Sequence, residues 1–225
     1  MYSYSKEMED KLLAELHNHY NTGISFMPGS ILPKVDADIP CDFSSNFEDA
    51  LIQLFSLATS MLDGNCFPCM INDAKERNAF AEERHDIMIV AIHLPLVAEC
   101  ISLAHAYSLF DDFFVMTRPT TRYDYEYRSP VINESGGFSL ETAQSESKRI
   151  LADMTAFLAV KYIMFHEIAH HHLNHLEKTK SGRLASNSNA SCVVDGISLQ
   201  ELEIEADTWA AAKLLADFVD ISKLS

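Results

Sequence analysis

His166-Glu167-Ile168-Ala169-His170 sets two imidazoles four residues apart with a carboxylate between them. On an α-helix each residue turns about 100°, so His166 and His170 lie on one face and can present two nitrogens to a single metal ion. Glu167 stands beside that face, where its carboxylate can take a proton from an attacking water. The chemistry this pattern suits is zinc-assisted hydrolysis. A catalytic zinc takes three protein ligands and keeps a fourth position open, so one ligand has to come from elsewhere in the chain.

The segment Leu199 to Leu215 is rich in helix formers and contains no Gly or Pro. Within it Glu203 and Asp207 are four apart and share a face with Ala206, Ala210 and Leu214, whereas Glu201 and Glu205 point elsewhere. A carboxylate on the apolar face of a helix is costly unless it is paired or binds a metal. Glu203 as third ligand, with Asp207 accepting the N–H of a ligand histidine, removes that cost for both. The plainer alternative is an acidic helix with solvated carboxylates. His171, His172 and His175 are rival ligands. His175 falls about 180° from His166 on a continuous helix and reaches the metal only if the helix breaks first. It is expected at the helix end or behind a ligand, with His171 and His172 at the surface or in a substrate subsite. The spacing H-E-x-x-H-x-x-G-x-x-H is ruled out, because Leu173 and Leu176 occupy the positions that need Gly and His.

Glu203-Ile204-Glu205-Ala206-Asp207 resembles the E-x-x-A-D third-ligand motif of the glutamate-zincin metallopeptidases seen in the HtpX and CAAX-protease group. Together with His166–His170, the further His175 and the run from Glu203 to Leu215, it is most similar to the soluble members. Those are the ImmA/IrrE-type and the phage-exclusion (Lit-type) peptidases, which act on intracellular protein targets. The resemblance covers about residues 150–217. It implies Zn²⁺ held by His166, His170 and Glu203, Glu167 as general base, and a protein or peptide substrate. Two features depart from it: Asn174 stands where those families usually have Gly, and the stretch between the two helices is longer and more polar.

With 225 residues the chain can bury a sizeable core, as one continuous domain or as a helical region over 1–80 followed by a zincin-like core over 81–225. Hydrophobic residues make up 48% of it, with only seven Gly and seven Pro, which argues for an ordered, helix-rich globule. A net charge of −16 without any Lys/Arg cluster excludes nucleic acid as a partner and disfavours anionic membranes. It points instead to a neutral or basic protein. Met1 to Asp10 has no basic region followed by an apolar stretch, so a cytoplasmic location is expected. The apolar stretch Ile87 to Phe110 carries His93, Pro95, Glu99 and His105 and reads as a buried core helix rather than a membrane span. Five scattered Cys fit a reducing compartment, and Cys66-Phe67-Pro68-Cys69 reads as a turn with two free thiols.

The remaining elements follow from periodicity. Lys6 to His19 is an amphipathic helix, Phe47–Leu62 a second one capped by Ser45 or Asn46, and Glu82 to Tyr107 a long helix bent at Pro95. Phe113–Met116 and Arg122–Tyr127 are strand candidates, one of which is expected to flank the metal cleft and pair with an extended substrate. Tyr123, Tyr125 and Tyr127 offer phenols to an oxyanion. A helical pattern runs from Glu141 to about Glu177, long enough to allow a break near 155–160, and the polar stretch Lys178 to Ser198 reads as a loop or lid. These readings converge on an α+β fold, mostly helical, with a small sheet packed beside the zinc-bearing helix. The function expected is a soluble zinc metallopeptidase. The alternative is a zinc-containing regulatory or toxin-like binding module without proteolytic turnover. Oligomeric state is left open by the sequence.

Overall fold

A computed structural model describes residues 5–20, 23–25, 35–37, 43–72, 76–109, 128–131, 138–179, 193–194 and 197–222. The strand candidates at Phe113–Met116 and Arg122–Tyr127, with their tyrosines, lie outside the described residues, as does most of the polar stretch after Lys178. The chain folds as α1 (Lys6–Tyr20), β1 (Gly23–Ser25), β2 (Val35–Ala37), α2 (Phe43–Met61), β3 (Cys66–Asn72), β4 (Ala79–Arg84) and β5 (Ile87–His93). There follow α3 (Leu94–Ser108), β6 (Phe138–Leu140), α4 (Glu146–His172), β7 (Val193–Val194), β8 (Ile197–Ser198) and α5 (Leu199–Ser222). The architecture is α+β and mostly helical.

The main sheet has the order β1-β3-β5-β4, with β3 and β5 parallel and the outer strands antiparallel to their neighbours. Its inner strands alternate in the period of two that a pleated backbone imposes. Cys66, Met70, Val90 and Ile92 point into the main core, shared with α2, α3, α4 and α5. Phe67, Cys69, Ile71, Ile89 and Ala91 point the other way and are covered by Leu12 and Leu16 of α1. The amphipathic face of α1 therefore closes the back of the sheet. The first 80 residues supply three strands as well as two helices, and β3 stands in the same sheet as β4 and β5.

The sheet corrects the expectation of a helix from Glu82 to Tyr107. Residues 79–84 and 87–93 form a hairpin instead, and the helix begins only at Leu94 with Pro95 in its first turn. Proline is well suited there, since a first-turn N–H has no partner to lose. Ile87-Met88-Ile89-Val90-Ala91-Ile92 is rich in β-branched residues and buried on both faces, as an inner strand requires. The turn is made by His85 and Asp86, with φ of 52° and 62°, closing the Arg84–Ile87 pair. Two left-handed residues are what a two-residue hairpin needs, but they lack the Asn-Gly or Asp-Gly signature that would have announced it.

Cys66 and Cys69 lie on β3 rather than in a turn, both fully buried. Burial alone pushes the Cys66 thiol up to about 12, so neither residue is poised for thiolate chemistry. Helix α2 begins at Phe43, ahead of the Ser45 or Asn46 cap expected for it. Among the described residues no helix is long and apolar enough to cross a membrane.

Candidate metal centre

Helix α4 runs unbroken through residues 155–160 and ends only at His172. Its buried positions Ala152, Ala156, Val160, Met164 and Ile168 recur at helical spacing and anchor it in the main core. Asn174 then takes a left-handed conformation, φ 57°, which stops the helix. Asn is among the few non-glycine residues that tolerate this. The chain resumes as a short helical turn over 175–179, held by the Lys178 N–H donating to the Asn174 carbonyl at 3.2 Å.

Helix α5 buries Leu202, Ala206 and Ala210. The two alanines let its axis come close to α4, and the rings of Phe165 and Trp209 meet edge-on at 6.3 Å. Glu203 and Asp207, each one residue beyond a buried position, are turned to the flank. Their side chains are 57% and 56% exposed. They are not inward carboxylates, as the helix pattern had suggested, but sit at the rim over the histidine face of α4.

There the expected residues come together. The Nε2 atoms of His166 and His170 are 3.0 Å apart. Glu203 Oε2 is 3.1 Å from His166 Nε2, and its Oε1 is 3.7 Å from His170 Nε2. One donor atom from each of the three residues lies within 4.8 Å of the others. Zinc takes nitrogen and oxygen ligands at about 2.0–2.1 Å, so the corners of its tetrahedron stand roughly 3.4 Å apart. The two imidazole nitrogens are near that spacing and one Glu203 oxygen lies within 4.8 Å of both, and two imidazoles with one carboxylate are a donor set zinc accepts.

The opposite nitrogens are also held. His166 Nδ1 is 2.9 Å from Asp207 Oδ1, which accepts a second hydrogen bond from the Tyr162 hydroxyl at 2.8 Å. The Tyr162 hydroxyl, and after it His166, hold the Asp207 carboxyl below the usual carboxylate range. Tyr162 was not anticipated, although it precedes His166 by one turn on the same face. His170 Nδ1 faces His175 Nδ1 at 3.1 Å, and His175 Nε2 faces Glu205 Oε2 at 3.0 Å. Glu205, set aside on helix geometry, is thus brought in by the break at Asn174. His171 is neither at the surface nor in a subsite. It is buried, and its Nε2–H donates to the Ile89 carbonyl at 3.0 Å, pinning α4 to β5. His172 is exposed and lies 5.2 Å from the Trp209 ring.

Over these groups opens a cleft of about 430 Å³, lined by His166, Glu167, His170 and Glu203 and walled by Ala79 and Phe80 of the edge strand β4. Burial keeps His170 well below the ordinary imidazole range, against the opposing pull of Glu203, so its ring is neutral and able to ligate. Glu167 is 8% exposed, and burial, followed by the charge of Glu203, raises its carboxyl from 4.5 to about 8.

This shift makes a prediction about the metal-free chain. Above pH 4.5 the unfolded chain releases the Glu167 proton, while the folded chain keeps it until about pH 8. The stability this group contributes is therefore lost as pH rises through that window. Glu167→Gln cannot titrate. In urea unfolding of chelator-treated protein, its stability relative to wild type should rise by roughly 3 kcal/mol between pH 5 and pH 8. A difference that stays constant with pH would mean that Glu167 ionises normally.

The model of the family described as Peptidase U49 matches residues 95–223. No curated protein and no solved structure shows significant similarity to the chain. The matched span contains α3, α4 and α5, hence the histidine pair, Glu167 and both carboxylates of α5, and it leaves out β4 and β5. It covers more than half of the 225 residues, and the chain belongs to the peptidase U49 family.

Proposed function

We propose that the chain is a zinc-dependent metallopeptidase of the HExxH glutamate-zincin type that cuts an intracellular protein. The observation that carries this reading is the convergence of His166 Nε2, His170 Nε2 and a Glu203 carboxylate oxygen within 4.8 Å, in the cleft that Glu167 lines. The ligands would be His166, His170 and Glu203. Bound there, zinc would acidify water and polarise a scissile carbonyl. The chain's own residues do the rest. Asp207 accepts the Nδ1–H of His166 and so leaves its Nε2 lone pair toward the cleft. Glu167 takes the proton from the attacking water on its carboxylate and returns it to the leaving amine. A cation at the site favours the ionised form of Glu167, lowering its affinity for protons from the metal-free value toward the range a base needs near neutrality.

Substrate would enter along β4. Among the described residues this strand stands last in the main sheet, and Ala79 and Phe80 wall the cleft beside Glu167. Backbone pairing alongside this strand would hold an extended peptide independently of its sequence. The strand candidates within 113–127, for which this role was expected, lie outside the described residues.

Elemental mass spectrometry of the purified chain tests the reading. About one zinc per chain is expected, with hydrolysis of a quenched-fluorescent peptide library that stops on chelation and returns with zinc. A chain that takes up no zinc, even on reconstitution, would end it.

A further inference from the structure

His166 and His170 are supported from behind by different means. The group facing His166 Nδ1 is the Asp207 carboxylate, which can only accept a hydrogen bond. The group facing His170 Nδ1 is another imidazole nitrogen, His175 Nδ1 at 3.1 Å, which can accept or donate. The two outcomes differ. If His175 carries its proton on Nδ1, it donates to His170 Nδ1, and the His170 proton moves to Nε2, closing off the lone pair that faces the cleft. If His175 carries its proton on Nε2, its Nδ1 accepts from His170, and the His170 Nε2 lone pair is free. The far side of His175 settles the choice, because its Nε2 lies 3.0 Å from Glu205 Oε2 and a carboxylate accepts only.

We propose that Glu205 is a positioning residue: by accepting the Nε2–H of His175 it fixes the tautomer of His175, and through it that of His170, in the form that can bind metal. The inference rests on the zinc reading above. His175 is well suited to the relay, since its side chain is 1% exposed and meets little water that could exchange its two ring forms. Glu205 is also 3.7 Å from Lys178, so a plain ion pair tying the 175–179 turn to α5 is the competing role. The two roles separate by substitution. Glu205→Gln keeps an oxygen acceptor but no charge, Lys178→Ala removes the ion pair and leaves the acceptor, and Glu205→Ala removes both.

The test is zinc affinity of the full chain by competition with a chromophoric chelator, together with ring ¹⁵N NMR of His175 in zinc-free protein. Glu205→Ala should bind zinc about 10–100-fold more weakly. Glu205→Gln and Lys178→Ala should stay within a few-fold of wild type. The zinc-free wild type should show His175 as the Nε2–H form, and Glu205→Ala should show a mixture. Wild-type affinity in Glu205→Ala, equal loss in Glu205→Gln, or an Nδ1–H form of His175 in wild type would each overturn the relay. If the wild type takes up no zinc, the metallopeptidase reading fails and the relay with it. If it takes up zinc and Glu205→Ala does so equally, the relay alone fails.

Discussion

Glu167→Gln should bind zinc as the wild type does and lose about 10²–10⁴-fold in peptide hydrolysis. Gln has the size and shape of Glu and lies in the same half-closed cleft, but it cannot accept a proton from water at any working pH. It leaves His166, His170 and Glu203 untouched, so the metal should remain. Two further consequences follow from the burial of this carboxyl. The variant should unfold at higher urea concentration than wild type when metal-free and alkaline. It should also retain any protein substrate, because the edge strand β4 and the metal ligands are intact and only the proton carrier is gone. Loss of zinc in this variant would make Glu167 a part of the ligand shell. Undiminished cleavage would place the base elsewhere. A chain that binds zinc and a partner but shows no turnover in either form would favour the zinc-containing regulatory module over the peptidase.

How much of this site can be read from sequence depends on whether local helix geometry or long-range packing sets each position. His166, Glu167 and His170 lie on one helical turn, and Glu203 and Asp207 on another, so the 3.6-residue period alone groups them. That period also gives the wrong depth for Glu203 and Asp207. Nothing local says whether Ala206 and Ala210 alone, or the carboxylates too, face α4, and the observed close approach of the two helices leaves the acids at the rim. Glu205 shows the opposite failure. Its partner His175 is reached only because Asn174 turns the chain back, and a positive φ at a single Asn leaves little trace in a pattern of helix formers. His171 looked like a surface group, yet its ring is buried against a β5 carbonyl that no sequence proximity connects to it. The α+β class was legible, but the strands that make the sheet were not. The run 87–93 is apolar in every position but the last, and an unbroken apolar run of that length suits a buried strand and a buried helix equally. What distinguishes them here is β3, which pairs with β5 along residues 66–71 and could not be recognised as a strand beforehand.

Glu203→Ala should lose zinc while keeping the fold. Structural zinc sites with four protein ligands bind with roughly 10–16 kcal/mol, about 2.5–4 kcal/mol per donor, so removing the carboxylate should weaken binding by ~10²–10³-fold. Hydrolysis should disappear at any zinc concentration that does not restore occupancy. The fold should survive because the Glu203 side chain is 57% exposed and contributes nothing to the core, which takes Leu202, Ala206 and Ala210 from this stretch of α5. Alanine is also the better helix former. The charge of Glu203 is one of the two causes that hold the Glu167 carboxyl above its ordinary value, and its removal should relax that shift. Metal-free Glu203→Ala should therefore be at least as stable as metal-free wild type near pH 8, the reverse of what a damaged core would give. Chelator competition, circular dichroism and urea unfolding on the two proteins decide the matter together. Weak zinc binding with undiminished metal-free stability assigns the third ligand to Glu203. Equal zinc in both proteins would move it to another donor, and His175, whose ring faces His170 at 3.1 Å, would be the first to test. Weak binding accompanied by loss of helix would mean that the carboxylate holds α5 against α4 and that its nearness to His166 and His170 serves packing rather than metal.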